Sequence, residues 1–241
     1  MAFDDGPSLS SAQLYDFLTA QNIPSTHFVI GSRILENPAL FQKAIDMDGH
    51  IAVHTWSHPL MSTMTDMQVL GELGWTMQAI FDFSDGIIPA FWRPPYGDVD
   101  NRVRAIAQHV FGLTTVIWNQ DTDDVSKISF SNLRWLTLVS QWCLSDDGTN
   151  SCGPDRGPQT DRGLAKELNN YITGPKSPGL VILEHEHHER AVSGFINAYP
   201  SMMSEGWKLS NIPDMYVWLL PKCKWQLRRL IQVRDALVSQ W

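Results

Sequence analysis

A parallel α/β fold, sheet or barrel, with its helices packed outside is what this sequence predicts, and three observations predict it. Short β-rich runs alternate with stretches whose apolar residues recur at helical spacing, the cadence of parallel strands joined by crossover helices. The length, 241 residues, is one that α/β barrels use as a single domain. Ionisable residues stand directly after five strand-like runs: Asp4-Asp5, His54, Arg93, Asp121 to Asp124, and His185. In parallel α/β architectures the C-terminal strand ends carry the chemistry, so the five point to one common site.

Each element has a local reason. Phe3 to Pro7 closes a strand, and Ser8 to Ser11 offers N-cap side chains. Leu14, Phe17 and Leu18 share a helical face, and Gln21-Asn22 with Pro24 ends that helix. Thr26 to Ile30 is a β-rich run stopped by Gly31, with His27 inside it as a hydrogen-bonded core histidine. Ala39 to Met47 suits a helix that Asp48-Gly49 stops, and Ile51 to Val53 is a buried strand with His54 at its end. A long helix covers Asp66 to Phe83 despite Gly71 and Gly74. Phe91 to Arg93 is a strand, Pro94 to Gly97 a turn, Val99 to Val110 a helix and Thr114 to Trp118 a strand. Residues 144 to 163, rich in Gly, Asp, Ser, Pro and Asn, read as an inserted loop. Helix Leu164 to Tyr171 and a Pro/Gly turn at 174 to 179 lead to a buried strand, Leu180 to Leu183.

The composition excludes several classes. Lys and Arg total 18 against 26 Asp and Glu, a formal charge of −8, which argues against a reader of nucleic-acid backbone. Apolar residues at 43% and charged residues at 18% support a full core and exclude a disordered chain. No apolar run reaches transmembrane length, and MAFDDGP has neither the basic start nor the apolar stretch of a signal peptide. Cys143 and Cys152 lie in a polar loop, where a disulfide and two free thiols are both open, and Cys223 is left over. The last twenty residues gather Lys222, Lys224, Arg228, Arg229 and Arg234, while Leu227, Leu230, Ile231, Leu237, Val238 and Trp241 share a helical face. That segment reads as a docked terminal helix or as a surface-binding tail.

The chemistry is read from two short runs. In His54-Thr55-Trp56-Ser57-His58, histidines at i and i+4 share one face of a helical turn and can bind one metal ion, although surface polarity gives the same pattern. Asp4-Asp5 places two acids side by side in a turn, which is costly unless a cation or a proton transfer uses them. One carboxylate with two histidines leaves room on a metal for water. A two-His-one-carboxylate iron oxygenase has the same donors, but it explains neither Arg93 to Tyr96 nor His185.

Taken in order, five runs resemble the motifs of the polysaccharide deacetylase (NodB-homology) family: AFDDGP at 2–7, HTWSH at 54–58, RPPYGD at 93–98, DTDDV at 121–125 and LEH at 183–185. The wording around them, WNQD, RPPYGDVDNRVR and ILEHE, is most similar to fungal chitin deacetylases. The resemblance implies a distorted (β/α) barrel of about seven parallel strands over residues 1–212, followed by the basic segment 213–241. It implies metal-dependent removal of N-acetyl groups from chitin or a chitin-like acetylated glycan. It assigns Asp4 as the catalytic base, Asp5, His54 and His58 as ligands of one divalent metal, zinc or alternatively cobalt, and Arg93 as the partner of the base. The Tyr96 backbone N–H holds the oxyanion, Asp124 orients the general acid His185 with Asp121 as a substitute, and Leu183 walls the acetyl pocket. Among many indoles (Trp56, Trp75, Trp92, Trp118, Trp135 and Trp142), mostly expected in the core, Trp118 is placed on the substrate side. The same resemblance implies an extracellular or cell-wall location and a monomer.

Other positions are expected to stand apart from the site. His187 and His188 are expected to be exposed loop residues, and Glu184 to face away from Leu183 and His185. Two departures from the family pattern stand out. Position 125 is Val where the family usually has Trp, which loosens the acetyl pocket. Met1 nearly abuts the first motif, so the first strand is expected to be short, with an edge beside the acidic pair that stays exposed unless a neighbouring segment covers it. A closing strand is expected near Trp207 to Ile212. Another acetylated polysaccharide, such as xylan or peptidoglycan, and a glycan-binding relative without turnover remain the alternatives.

Overall fold

The computed structural model describes residues 1–122, 168, 170–176 and 179–219. Five parallel strands pair side by side in chain order: β1 (Ala2–Gly6), β2 (Thr26–Val29), β3 (His50–Val53), β4 (Phe91–Trp92) and β5 (Thr114–Thr115). A second parallel pair, β6 (Gln120–Asp121) and β7 (Ile182–Leu183), joins Gln120 to Ile182 and Asp121 to Leu183. The two sheets meet at a parallel bridge between Asp4 and His185. There the Asp4 N–H donates to the Glu184 carbonyl at 2.9 Å and the Glu186 N–H to the Asp4 carbonyl at 3.0 Å. Seven strands thus run in the order β5-β4-β3-β2-β1-β7-β6. No pairing joins β5 to β6 among the described residues.

The helices follow from their termini. Helix α1 (Ser11–Gln21) ends at Asn22 in the left-handed conformation, φ 51°. Helices α2 (Gly31–Glu36) and α3 (Pro38–Asp46) pack between β2 and β3 in sequence. The first of these was not expected, because Gly31 read as a stop. Helix α4 (Asp66–Asp82) starts with a capping box, in which Thr65 accepts from the Gln68 N–H and the Gln68 side chain accepts from Thr65 N–H. Helix α5 (Asn101–Phe111) is capped by Asp100, which accepts from Val103 N–H at 2.8 Å, and ends on Gly112 at φ 69°. Helix α6 (Glu189–Ser204) lays Val192, Phe195, Ala198 and Met202 on the core, and α7 (Ile212–Leu219) follows. None of the described helices is long and apolar enough to cross a membrane.

The main core lies between β1–β4 and helices α1, α3, α4, α5 and α6, with Phe3, Leu14, Tyr15, Leu18, Phe41, Leu73, Trp92 and Phe195 essentially inaccessible. Each apolar side chain so buried contributes about 1.5–3 kcal/mol. Several expectations are corrected. The strand expected at Thr114 to Trp118 pairs only through Thr115, and the chain then leaves β5 for β6. Trp207 to Ile212 forms no strand. Its Ser210 carbonyl takes the Met1 ammonium, its Ile212 N–H donates to Thr26 Oγ1 at 3.0 Å, and a helix begins at Ile212. Beside the acidic pair, the alternative of a covering neighbour is the one seen, because the His185 segment bridges to β1 at Asp4. Asp124, Val125, Trp135, Trp142, the three cysteines, the 144–163 loop and the basic residues from Lys222 onward lie outside the described residues, as does most of the expected helix Leu164 to Tyr171.

Candidate active site

Two adjacent strand residues normally face opposite sides of a sheet. Asp4 and Asp5 escape that rule because the β1–β2 register shifts between Asp4 and Gly6 and Asp5 takes φ 68°. Both carboxylates therefore reach the same imidazole: His54 Nε2 lies 3.7 Å from Asp4 Oδ2 and 3.2 Å from Asp5 Oδ1. His54 caps β3, and its Nδ1 is 2.7 Å from the Arg93 carbonyl. A carbonyl can only accept, so the proton sits on Nδ1 and the Nε2 lone pair faces the acids.

His58 arrives by another route than the one expected. Residues 54–58 form no helical turn. Thr55 at φ 66° and His58 at φ 61° wind the loop back instead, which brings His58 Nε2 to 3.2 Å from the same Asp5 oxygen. Glu72 of α4 holds the loop. Its Oε2 accepts from Trp56 N–H at 2.7 Å and Ser57 N–H at 2.8 Å, and its Oε1 from Ser57 Oγ at 2.6 Å. The His58 N–H is tied to Thr55 Oγ1 at 3.1 Å.

Asp5, His54 and His58 offer one ligand atom each, all within 4.8 Å of one another. The fit to a divalent metal rests on the donor chemistry. Asp5 Oδ1 is buried without a hydrogen-bond partner while two imidazole nitrogens aim at it. A cation at their centre satisfies all three. Burial works to raise the Asp5 carboxyl, but the adjacent His54 and His58 side chains, with the charge of His54 and His185, outweigh it and hold the group well below the usual carboxylate range.

Asp4 is paired on its other side. Arg93 Nη1 donates to Asp4 Oδ1 at 2.7 Å, and both side chains are buried. Burial lowers the Arg93 pKa and the Asp4 charge opposes that shift. The guanidinium lies 4.2 Å over the Phe28 ring and 5.7 Å from the ring of Trp118. Tyr96 sits at φ 59° in the tight turn Pro95–Gly97, with its ring edge-on to His58 at 4.6 Å. Burial and the Asp5 charge raise its phenol, so the hydroxyl stays protonated. Half-buried Trp118 packs on the same turn, where a Cβ added at Gly97 would stand 3.3 Å from its ring. Leu183 is buried at the end of β7, and half-buried His185 follows it beside Asp4.

The structure thus brings Asp4, Asp5, His54, His58, Arg93, Tyr96, Trp118, Leu183 and His185 to one rim. Asp121 pairs with Leu183 within the second sheet, and its carbonyl accepts from the Tyr171 hydroxyl at 2.9 Å. Of the other indoles, Trp92 is core, Trp56 half-buried and Trp75 66% exposed.

One expectation near the site fails. His187 is not an exposed loop residue: it is half-buried and its Nδ1 lies 3.1 Å from Asp5 Oδ2. Burial pushes its pKa down to about 4, with the Asp5 charge opposing. His188 is exposed as expected. Glu184 is buried and its carbonyl carries the β1 bridge. His27 is the satisfied core histidine expected, between Ser25 Oγ and Glu186 Oε2, each at 2.9 Å. Glu72 and Glu186 were missed. Glu72 stands among apolar residues, which marks an acid that needs a partner, whereas Glu186 stands among His, Glu and Arg and no local signal marks it.

A β1 turn with paired acids, a two-histidine loop on β3 and an Arg-Pro-Pro-Tyr turn on β4 define a class of protein: residues 1–116 match the polysaccharide deacetylase family, and the chain belongs to it. Among its relatives is chitin deacetylase 3 of Cryptococcus neoformans var. neoformans, 43% identical over 229 residues, 94% of this chain and 48% of that protein. The chain therefore spans about half the length of the curated relatives it matches. A family 4 carbohydrate esterase from Streptomyces lividans, solved in complex with acetate, is similar at TM-score 0.64 and 25% identity, covering 87% of this chain and 88% of that one. A peptidoglycan deacetylase from Bacillus subtilis shares the fold at TM-score 0.69 and 21% identity, over 95% of this chain and 94% of that one.

Proposed function

We propose that this chain hydrolyses the N-acetyl groups of chitin, giving acetate and free glucosamine units, with one divalent metal, zinc, held by Asp5, His54 and His58. The observation that carries this reading is the convergence of Asp4 and Asp5 on His54 with His185 bridged to Asp4. The metal, when bound there, supplies polarisation of the acetamide carbonyl and acidification of water. Asp4 accepts the proton of the attacking water. Arg93 occupies Oδ1 and so leaves Oδ2 turned toward the metal ligands. The Tyr96 N–H, presented by its left-handed turn, donates to the oxygen on which negative charge develops. His185 protonates the departing nitrogen, without which an amine is a poor leaving group. Leu183 borders the acetyl methyl, and Trp118 offers an indole face to the sugar. Asp124 has the orienting role toward His185 that the family resemblance assigns.

On this reading residues 1–212 are the catalytic domain and 213–241 an appended basic segment. The chain acts as a monomer, outside the cell or in the cell wall, on glycan laid down there. The test is acetate release from N-acetylglucosamine oligomers by the purified chain, with and without zinc. Zinc-dependent release is expected. Release only from acetylated xylan or peptidoglycan would move the substrate, and none from any of them would remove the activity.

A further inference from the structure

Glu186 directly follows His185, and its side chain is completely buried. Its Oε1 accepts from the Tyr15 hydroxyl of α1 at 3.0 Å, and its Oε2 lies 2.9 Å from His27 Nδ1 of β2. The backbone is held as closely. Its N–H donates to the Asp4 carbonyl at 3.0 Å, and its carbonyl accepts from Ser8 Oγ at 2.9 Å and Ser11 Oγ at 3.3 Å. Burial and the Glu186 charge hold the Tyr15 phenol well above its ordinary range, so it remains a donor. The carboxylate also lies flat on Gly6: a Cβ there would stand 1.4 Å from Oε1. Glycine is therefore required at the third position of the Asp4-Asp5-Gly6 turn by a residue near the other end of the domain.

A carboxylate in a dry interior is expensive unless its oxygens are all engaged, and an apolar residue would fill the space at less cost. The proposed reaction does not touch this group. We propose that Glu186 is a positioning residue for His185, locking the strand end that carries the proton donor onto the turn that carries Asp4 and Asp5. The Asp4 bridge holds the backbone on both sides of His185, and Glu186 pinned inward anchors the residue directly after it, so His185 is left at the rim in one orientation. This inference rests on the role proposed for His185.

The experiment compares Glu186→Ala, Glu186→Gln and Tyr15→Phe with the wild-type chain. It measures thermal stability, zinc affinity by chelator competition, kcat and KM for acetate release, and the imidazole NMR signals of His185. Glu186→Ala is expected to lower kcat about 100-fold, the scale of a 1 Å misplacement, while KM and zinc affinity hold. Glu186→Gln keeps the length and one acceptor oxygen and recovers part of the loss. The His185 ring signals shift while those of exposed His109 on α5 stay. Full kcat per folded molecule, with only a lower melting temperature, would overturn the inference and leave Glu186 a core residue. Where Glu186→Ala fails to fold, unchanged kcat in both milder variants overturns it equally. A wild-type chain that releases no acetate breaks the functional reading instead. The NMR arm then decides alone, and unmoved His185 signals in Glu186→Gln sink the positioning role.

Discussion

Removing the Glu72 carboxylate is expected to cost zinc affinity without touching a metal ligand. The loop it holds is strained, since Thr55 and His58 both sit at positive φ. Such residues cost on the order of 1–3 kcal/mol each. Against that strain stand three hydrogen bonds to one carboxylate, 2.6–2.8 Å long. A hydrogen bond to a charged group contributes about 1.5–3 kcal/mol, less where the donor is exposed as Ser57 is. Losing all three leaves the strain unopposed and tips the loop toward open forms by about 3 kcal/mol. At about 1.4 kcal/mol per tenfold, the share of chains with His58 in place falls roughly 100-fold, and apparent metal affinity falls with it. Competition against a chelator of known zinc affinity reads this directly in Glu72→Ala. Glu72→Gln keeps one acceptor oxygen and should lose roughly tenfold. Wild-type zinc affinity in Glu72→Ala would refute the reasoning, because the loop would then hold its ligands without the carboxylate.

Three further outcomes follow from the same geometry. Arg93→Met leaves Asp4 buried without its partner, and thermal denaturation should show a loss of about 3–5 kcal/mol, with an unchanged melting curve counting against the pair. His185→Ala should fold and bind zinc normally while turnover drops about 10²–10⁴-fold, and near-normal acetate release would remove it as the acid. The third concerns pH. Burial pushes the His50 pKa from 6.5 down to about 4, and its Nδ1 lies 3.1 Å from Thr26 Oγ1. The unfolded chain therefore binds this proton first. The stability His50 contributes is complete above its unfolded value and is lost as pH falls from 6.5 toward about 4. Denaturant midpoints measured across that window should flatten in His50→Gln, and an unaltered slope would rule His50 out as the cause.

Periodicity and punctuation made most of the fold legible. The helices expected over Asp66 to Phe83 and Val99 to Val110 are seen at Asp66–Asp82 and Asn101–Phe111, where the caps at Thr65, Asp100 and Gly112 agree with the apolar spacing. Helix α2 was hidden because Gly31 read as a stop. Its lack of a side chain instead serves close packing, since a Cβ there would meet Trp56 at 2.5 Å and Thr76 at 2.8 Å. The false strand near Trp207 was a pattern whose partner was already satisfied by β7. His54 and His58 were expected side by side for a reason that the structure replaces. Spacing i, i+4 brings histidines together on a helix, yet here two left-handed residues and Glu72 do it. Glu72, Glu186 and His187 were not legible as site residues because each acts across the chain, 15 to 182 residues from the partner it meets.

Backbone conformation ties these observations together. Seven non-glycine residues among those described hold positive φ. Asn22, Asp48 and Asp85 follow helices, and Asn and Asp adopt that region at small cost. The other four are Asp5, Thr55, His58 and Tyr96, and all four are at the site. Thr55 is β-branched, for which this region is an outlier, so nothing local recommends it there. The four make three turns, and each redirects a group that regular structure would have sent elsewhere: Asp5 beside Asp4 instead of across the sheet, His58 back to His54, and the Tyr96 N–H into the rim. Partners hold these turns from outside, Glu186 behind Gly6 and Arg93 behind Asp4 at the first, Glu72 behind Trp56 and Ser57 at the second, and Trp118 packed on Gly97 at the third. Site geometry and supporting carboxylates are thus one construction, which is why conservative changes at Glu72 and Glu186 are expected to reach the chemistry when larger changes on the outer faces of α4 and α6 are not.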